Sequence, residues 1–172
     1  LSSMLWSGVT FIFRVLEDEK ELRLREKCLL SQPFNYLRYE DWVKRSIGEI
    51  DSGYKRPILA FSDDTLVGDL IFQKHKELPG FIELKNMRIH PGLQRRYFGM
   101  FMLRQAEAEV SNQDYSAIIC DTRSDRTDVL NLLRLCGYQE IYRIPLYEPG
   151  IEDVVMVKDL LTKKRVFSTK KT

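Results

Sequence analysis

Eleven consecutive residues, Ile89-His-Pro-Gly-Leu-Gln-Arg-Arg-Tyr-Phe-Gly99, constrain this chain more than any other stretch. A strand ends at a proline-marked turn, a basic loop led by Gln94 follows, and a helix begins close to Phe98. Beyond it, Met102, Leu103, Ala106 and Val110 recur at helical spacing, and Ser116-Ala-Ile-Ile-Cys120 is short and apolar, like a central strand. A strand, a helix and a buried strand in that order require a crossover, and a crossover joins parallel strands. Such a junction also gathers free backbone N–H groups at the positive end of a helix dipole, an arrangement that holds phosphate groups.

Elsewhere the pattern is antiparallel. Residues 9–16 are rich in β-branched and aromatic side chains and read as a first strand. Strong helix formers fill residues 17–32, with acidic residues in the first turn and Pro33 as the stop. A second helix over residues 39–50 puts Val43, Ile47 and Ile50 on one face and ends near Gly53. Three strands, at 57–61, 66–74 and 81–90, are separated by Ser62-Asp-Asp64 and Leu78-Pro-Gly80 turns and pair as a meander. After the crossover, Asp125 is placed to cap a helix that carries Val129, Leu132, Leu133 and Cys136 and ends at Gly137. Strands at 139–146 and 154–158, joined through Glu148-Pro-Gly150, complete the order. The expected fold class is α+β, with a mixed, mostly antiparallel seven-stranded sheet flanked by four helices. One domain is expected over residues 1–162, followed by a flexible basic tail over residues 163–172.

The 172 residues, 44% of them hydrophobic, suffice for one substantial core. Lys plus Arg number 27 against 25 for Asp plus Glu, so the net charge of +2 makes no global case for nucleic acid or membrane, and any anion site must be local. Cys28, Cys120 and Cys136 are odd in number and scattered among apolar neighbours, which fits reduced core thiols. With only His75 and His90 beside them, no metal site is expected. No apolar run approaches the roughly 20 residues that cross a bilayer, and residues 1–13 lack the charged start of a signal peptide, so a cytoplasmic location is expected.

The element order, with the basic loop after the fourth strand, resembles the GNAT superfamily of acyl-CoA-dependent N-acyltransferases. That family's loop signature is Gln/Arg-x-x-Gly-x-Gly/Ala, and Gln94-Arg95-Arg96-Tyr97-Phe98-Gly99 is similar to it in register. Ile89-His-Pro91, Leu66-Val-Gly68, Leu135-Cys-Gly-Tyr138 and the strand Asp153-Val-Val-Met-Val-Lys158 resemble its other landmarks, together over residues 57–160. The resemblance implies acetyl-CoA as co-substrate and a primary amine on a small molecule, peptide or protein as acceptor. It assigns cofactor binding to Met87, Arg88 and Ile89 at the strand end, to Gln94, Arg95, Arg96, Tyr97, Phe98, Gly99 and Met100 in the loop, and to Arg126. It also implies a catalytic role for Glu83, eleven residues before Gln94, at an offset similar to that of the base glutamate in histone-acetylating members.

Other roles suit the same residues. On strict alternation, with no bulge, Glu83, Lys85, Met87 and Ile89 share one strand face, where Glu83 equally well balances Lys85. Arg95 and Arg96 suit a solvated turn as well as a phosphate. Tyr138 and Cys120 read as core, and His90 stands at the strand exit, away from a base's place. Two positions depart from the family pattern: Tyr97 replaces the first loop glycine, and Leu133 stands where many members carry a proton-donating tyrosine. They motivate an alternative, a catalytically degenerate binding or regulatory module that still takes CoA. Nucleic-acid association through the arginines ranks below both, since aromatic residues are not interleaved with them. A homodimer stays open.

Overall fold

The computed structural model describes residues 2–6, 9–32, 38–111 and 113–161. The expected basic tail lies outside them. In chain order the elements are β1 (Ser2–Trp6), β2 (Val9–Val15), α1 (Glu19–Ser31), α2 (Tyr39–Asp51), β3 (Lys55–Ser62), β4 (Thr65–Lys74), β5 (Phe81–Ile89), α3 (Phe98–Ser111), β6 (Ala117–Arg123), α4 (Thr127–Leu135), β7 (Gln139–Ile144) and β8 (Asp153–Asp159). The seven expected strands and four expected helices are all present, and β1 adds an edge strand paired with β2.

The strands form one mixed sheet in the order β1-β2-β3-β4-β5-β6-β8-β7. Every pair is antiparallel except β5 with β6, the pair joined through α3. Helices cover both faces. On one face Met102, Leu103, Ala106 and Val110 of α3 and Leu130 and Leu133 of α4 pack against Phe13, Ile58, Leu70, Phe72, Ile82, Leu84, Ile118 and Met156 of the sheet. On the other, α1 and α2 join through Leu29, Tyr39 and Val43, while Leu59, Phe61 and Leu66 pack with Cys28 of α1. Gly68 lets α3 come this close, since a Cβ there would meet the Met102 sulfur at 2.9 Å.

A polar joint ties the α1–α2 layer down. Arg25 of α1 is fully buried and donates from Nε to Asp69 Oδ1 (2.7 Å) and from Nη2 to Oδ2 (3.1 Å). Its Nη1 reaches Ser46 of α2 at 3.3 Å, and Asn86 of β5 donates to the same Asp69 at 2.6 Å.

Two local expectations are corrected. Asp125 does not cap α4: its carboxylate is held by Arg123 (2.6 and 3.2 Å), and the helix begins after Arg126 with no side-chain cap. The alternation along β5 is also broken. The β4 register slips between Asp69 and Ile71 opposite Arg88 and Lys85, and Asn86 takes a left-handed φ of 53°, which is a bulge. Glu83 and Lys85 therefore lie on the α1–α2 face, whereas Met87 and Ile89 pack into the core beneath α3 and α4.

Candidate active site

Strands β5 and β6 pair only through Phe81 with Ala117, Ile82 with Ile118 and Glu83 with Ile119. Beyond those positions each strand stays bonded to its outer neighbour, β5 to β4 as far as Ile89 and β6 to β8 as far as Arg123. The sheet is thus forked between its two parallel strands, with Glu83 at the vertex. Backbone N–H and C=O groups along the inner edges of the fork keep their hydrogen-bonding demand, so an extended chain carrying amides can add to them as a strand would.

Both connections leaving the open end of the fork start a helix. The β5–α3 loop and the β6–α4 loop lie side by side at the carboxyl ends of adjacent parallel strands, where open sheets hold ligands, and the N-termini of α3 and α4 point there. In the first loop a single 3₁₀ turn, Pro91–Leu93, follows His90, whose Nδ1 accepts from the Gly92 N–H at 3.1 Å. That role as a cap leaves His90 with structural work at the strand exit, as expected. Gln94 turns back and donates from Nε2 to the Ile89 carbonyl at 3.0 Å, closing the loop on its own strand.

Arg95 and Tyr97 both adopt left-handed backbone, with φ of 57° and 60°. The loop therefore keeps at position 97 the conformation a glycine takes freely, with tyrosine in its place and its side chain 64% exposed. Arg95 and Arg96 are exposed and make no ion pair among the described residues, whereas Arg126 is engaged by Asp128 at 3.2 Å. Phe98 is buried against Phe11 and Phe13. Gly99 has a packing reason: a Cβ would meet Leu132 Cδ2 of α4 at 2.6 Å and Ile89 Cδ1 at 3.1 Å. Met87 and Ile89 face that same contact, so only their backbone borders the fork. Arg88 points to the other layer, where Nη2 donates to the Tyr39 hydroxyl at 2.7 Å.

Tyr97→Gly tests the odd residue in the loop. Relief of left-handed strain, about 1 kcal/mol, and the greater chain entropy of glycine, about 0.5–1 kcal/mol, nearly offset, so stability should barely move. Acetyl-CoA affinity measured by calorimetry should then rise, and a fall would show that the phenol itself contacts the cofactor.

At the vertex a charged cluster assembles from three segments. Lys85 Nζ lies 2.8 Å from Glu83 Oε1, 3.2 Å from Asp121 Oδ1 of β6, and 3.0 Å from the hydroxyl of Tyr147 in the β7–β8 connection. Gln73, opposite Glu83 in the β4–β5 register, donates to Glu83 Oε2 at 2.8 Å. Burial pulls the Lys85 ammonium down, but Asp121, Tyr147 and Glu83 outweigh it and hold the group above the ordinary lysine range. The alternation of β5 brings Glu83 and Lys85 together as the sequence implies. Asp121 and Tyr147 were missed, because neither the fork nor the reach of the β7–β8 connection has a local signature.

Other candidates fall into the core. Leu133 is 3% exposed, so no hydroxyl stands at that point of α4. Tyr138 is buried, and burial lifts its phenol well above the usual range. Burial likewise pushes the Cys120 thiol up to about 12, which leaves it inert as a nucleophile. No described helix is long and apolar enough to cross a membrane.

A family model described as Acetyltransferase (GNAT) family matches residues 16–138. Curated proteins give no match. Among solved structures, a GNAT-family protein from Desulfovibrio desulfuricans superposes with a TM-score of 0.76 at 15% identity, over 87% of this chain and 99% of that one. The ribosomal-protein-S18-alanine N-acetyltransferase of Escherichia coli gives 0.71 at 14% identity, over 87% and 94%. Spermidine N-acetyltransferase from Vibrio cholerae, in complex with CoA and spermine, gives 0.70 at 14% identity, over 88% and 96%. These likenesses establish a shared fold.

Proposed function

Because the chain belongs to the GNAT acetyltransferase family, we propose that it transfers an acetyl group from acetyl-CoA to a primary amine by direct attack within a ternary complex. The observation that carries this reading is the fork between β5 and β6, opening toward a basic loop and two helix N-termini. The pantetheine arm is an amide-bearing chain that matches the free strand edges, and its pyrophosphate matches the loop. Arg95, Arg96 and the N–H groups of residues 95–99 are the groups proposed to hold it, with Gln94 and Gly99 fixing the loop's shape. The expected Met100 is left out because its N–H donates to the Tyr97 carbonyl at 3.0 Å. The relatives' names support an amine acceptor, an alanine of a ribosomal protein in one and spermidine in another.

In the proposed step the amine nitrogen attacks the thioester carbonyl, a C–N bond forms, the C–S bond breaks and its electron pair leaves on sulfur. Glu83, at the vertex, receives the proton the amine gives up. A primary alkylamine has a pKa of about 10.4 and is protonated at neutral pH, so a nearby carboxylate is needed. The thiolate makes a smaller demand: a thiol pKa of about 8.5 makes sulfur an adequate leaving group, with solvent returning its proton. A leucine at position 133 is compatible with turnover for that reason. Positioning two reactants in one fork supplies much of the remaining acceleration.

A second reading, a CoA-binding module without turnover, draws on the strained Tyr97 and the apolar Leu133. Mass spectrometry of a panel of primary amines incubated with acetyl-CoA separates the two. Acetylated product at rates above the protein-free control supports the enzyme, and cofactor binding without product supports the module. Replacing Arg95 and Arg96 together by alanine should weaken acetyl-CoA binding by about tenfold or more, with the loss shrinking as salt is raised. Unchanged affinity would remove both arginines from the cofactor site.

A further inference from the structure

We infer that the Lys85 ammonium stands in the place of the acceptor's amine, as an internal plug that a cationic acceptor must displace before transfer. The inference rests on the fork being the transfer site and goes beyond it by naming what fills the acceptor position and what that selects. Lys85 Nζ has the partners an alkylammonium ion needs: two carboxylates, Glu83 at 2.8 Å and Asp121 at 3.2 Å, and the Tyr147 hydroxyl at 3.0 Å. The Tyr147 ring adds its face, with the ring centre 5.6 Å from the nitrogen. These partners come from β5, β6 and the β7–β8 connection and meet at the one nitrogen.

The cluster is closed on itself. Glu83 gives one oxygen to Lys85 and the other to Gln73, while Asp121 is bonded to both Lys85 and the Tyr147 hydroxyl. A free alkylammonium ion therefore finds these carboxylates already used. Lys85 is 28% exposed at its side chain and carries its charge on a flexible stem outside the main core, so it can leave without repacking the sheet. Removing it leaves two carboxylates facing each other at the vertex without their cation, an environment that recruits a cation. Lys85 is thus a specificity residue: it raises the concentration at which small alkylammonium ions enter and favours acceptors whose other contacts help to displace it.

The test is calorimetric titration of 1,5-diaminopentane, which mimics a lysine side chain, into the cofactor-free protein. Lys85→Met should bind the diamine at least tenfold more tightly than the parent chain, and Lys85→Arg, which keeps the plug, should match the parent. Equal or weaker binding by Lys85→Met, with melting temperature and acetyl-CoA affinity unchanged, overturns the inference. A measurement on the parent chain stands apart from any folding defect. Saturating diamine should increase acetic anhydride labelling of Lys85 relative to the exposed Lys20 and Lys27 of the same sample, a ratio that cancels the reagent consumed by the diamine. An unchanged or lower ratio by peptide mass spectrometry overturns the inference as well. Failure of acetyl-CoA itself to bind would instead sink the reading of the fork, so the two failures are distinguishable.

Discussion

Glu83→Gln should lower kcat by about a hundredfold or more, the range over which a positioned base contributes, while acetyl-CoA affinity stays within about twofold of the parent. Glutamine is isosteric with glutamate and keeps one carbonyl oxygen for Lys85, while its amide NH2 meets Gln73, which can turn its own amide to accept. The negative charge is lost together with the ability to take a proton. The position explains why the effect should fall on kcat. Glu83 is the last residue of β5 paired to β6, so it stands where an acyl group carried up the fork would meet an incoming nitrogen. Steady-state kinetics with a responsive amine, together with a melting curve for each protein, is the measurement. An unchanged kcat in a folded variant would reduce Glu83 to the partner of Lys85 that its ion pair also allows.

The largest stability effect is expected at the joint beneath the helices. Asp69→Leu should destabilise the protein by about 3–5 kcal/mol, because it strands the fully buried guanidinium of Arg25 without its bidentate partner. Arg25→Met should fall in the same range. The double variant should cost much less than the sum, since two apolar side chains replace a desolvated pair of charges. Urea unfolding monitored by circular dichroism gives these differences. Additive losses would mean that the two residues act through separate neighbours. Asn86 and Ser46 share the network, so Asp69→Leu should also loosen the α1–α2 layer over the vertex and raise the KM for the amine.

Much of this architecture is legible in the residues because most elements obey a simple period. Met102, Leu103, Ala106 and Val110 announce α3 and are all buried, and Gly137 at φ 86° ends the chain's run from α4 into β7. The loop's shape is legible for a similar reason: Pro91 opens its 3₁₀ turn and Gln94 closes it on the Ile89 carbonyl, both within a few residues of sequence. What escaped is what depends on distant partners. The bulge at Asn86 carries no glycine or proline to announce it, only an asparagine, which tolerates left-handed backbone better than most residues. Alternation counted through that point therefore placed Met87 and Ile89 with Glu83, when they lie on opposite faces. Asp125 has the right chemistry for a cap, but Arg123 two residues earlier forms the stronger, charge-assisted contact with it. Asp121 and Tyr147 became visible only once β6 and the β7–β8 connection were seen to border the same fork as Lys85.

Binding of acetyl-CoA is the hinge on which every chemical step depends, and calorimetric titration of acetyl-CoA into the intact chain tests it most directly. The fork and its basic loop predict saturable binding at one site per chain, with a dissociation constant below about 1 mM that weakens when Arg95 and Arg96 are replaced. An absence of binding heat at millimolar acetyl-CoA and CoA, from protein that melts cooperatively, would contradict the account.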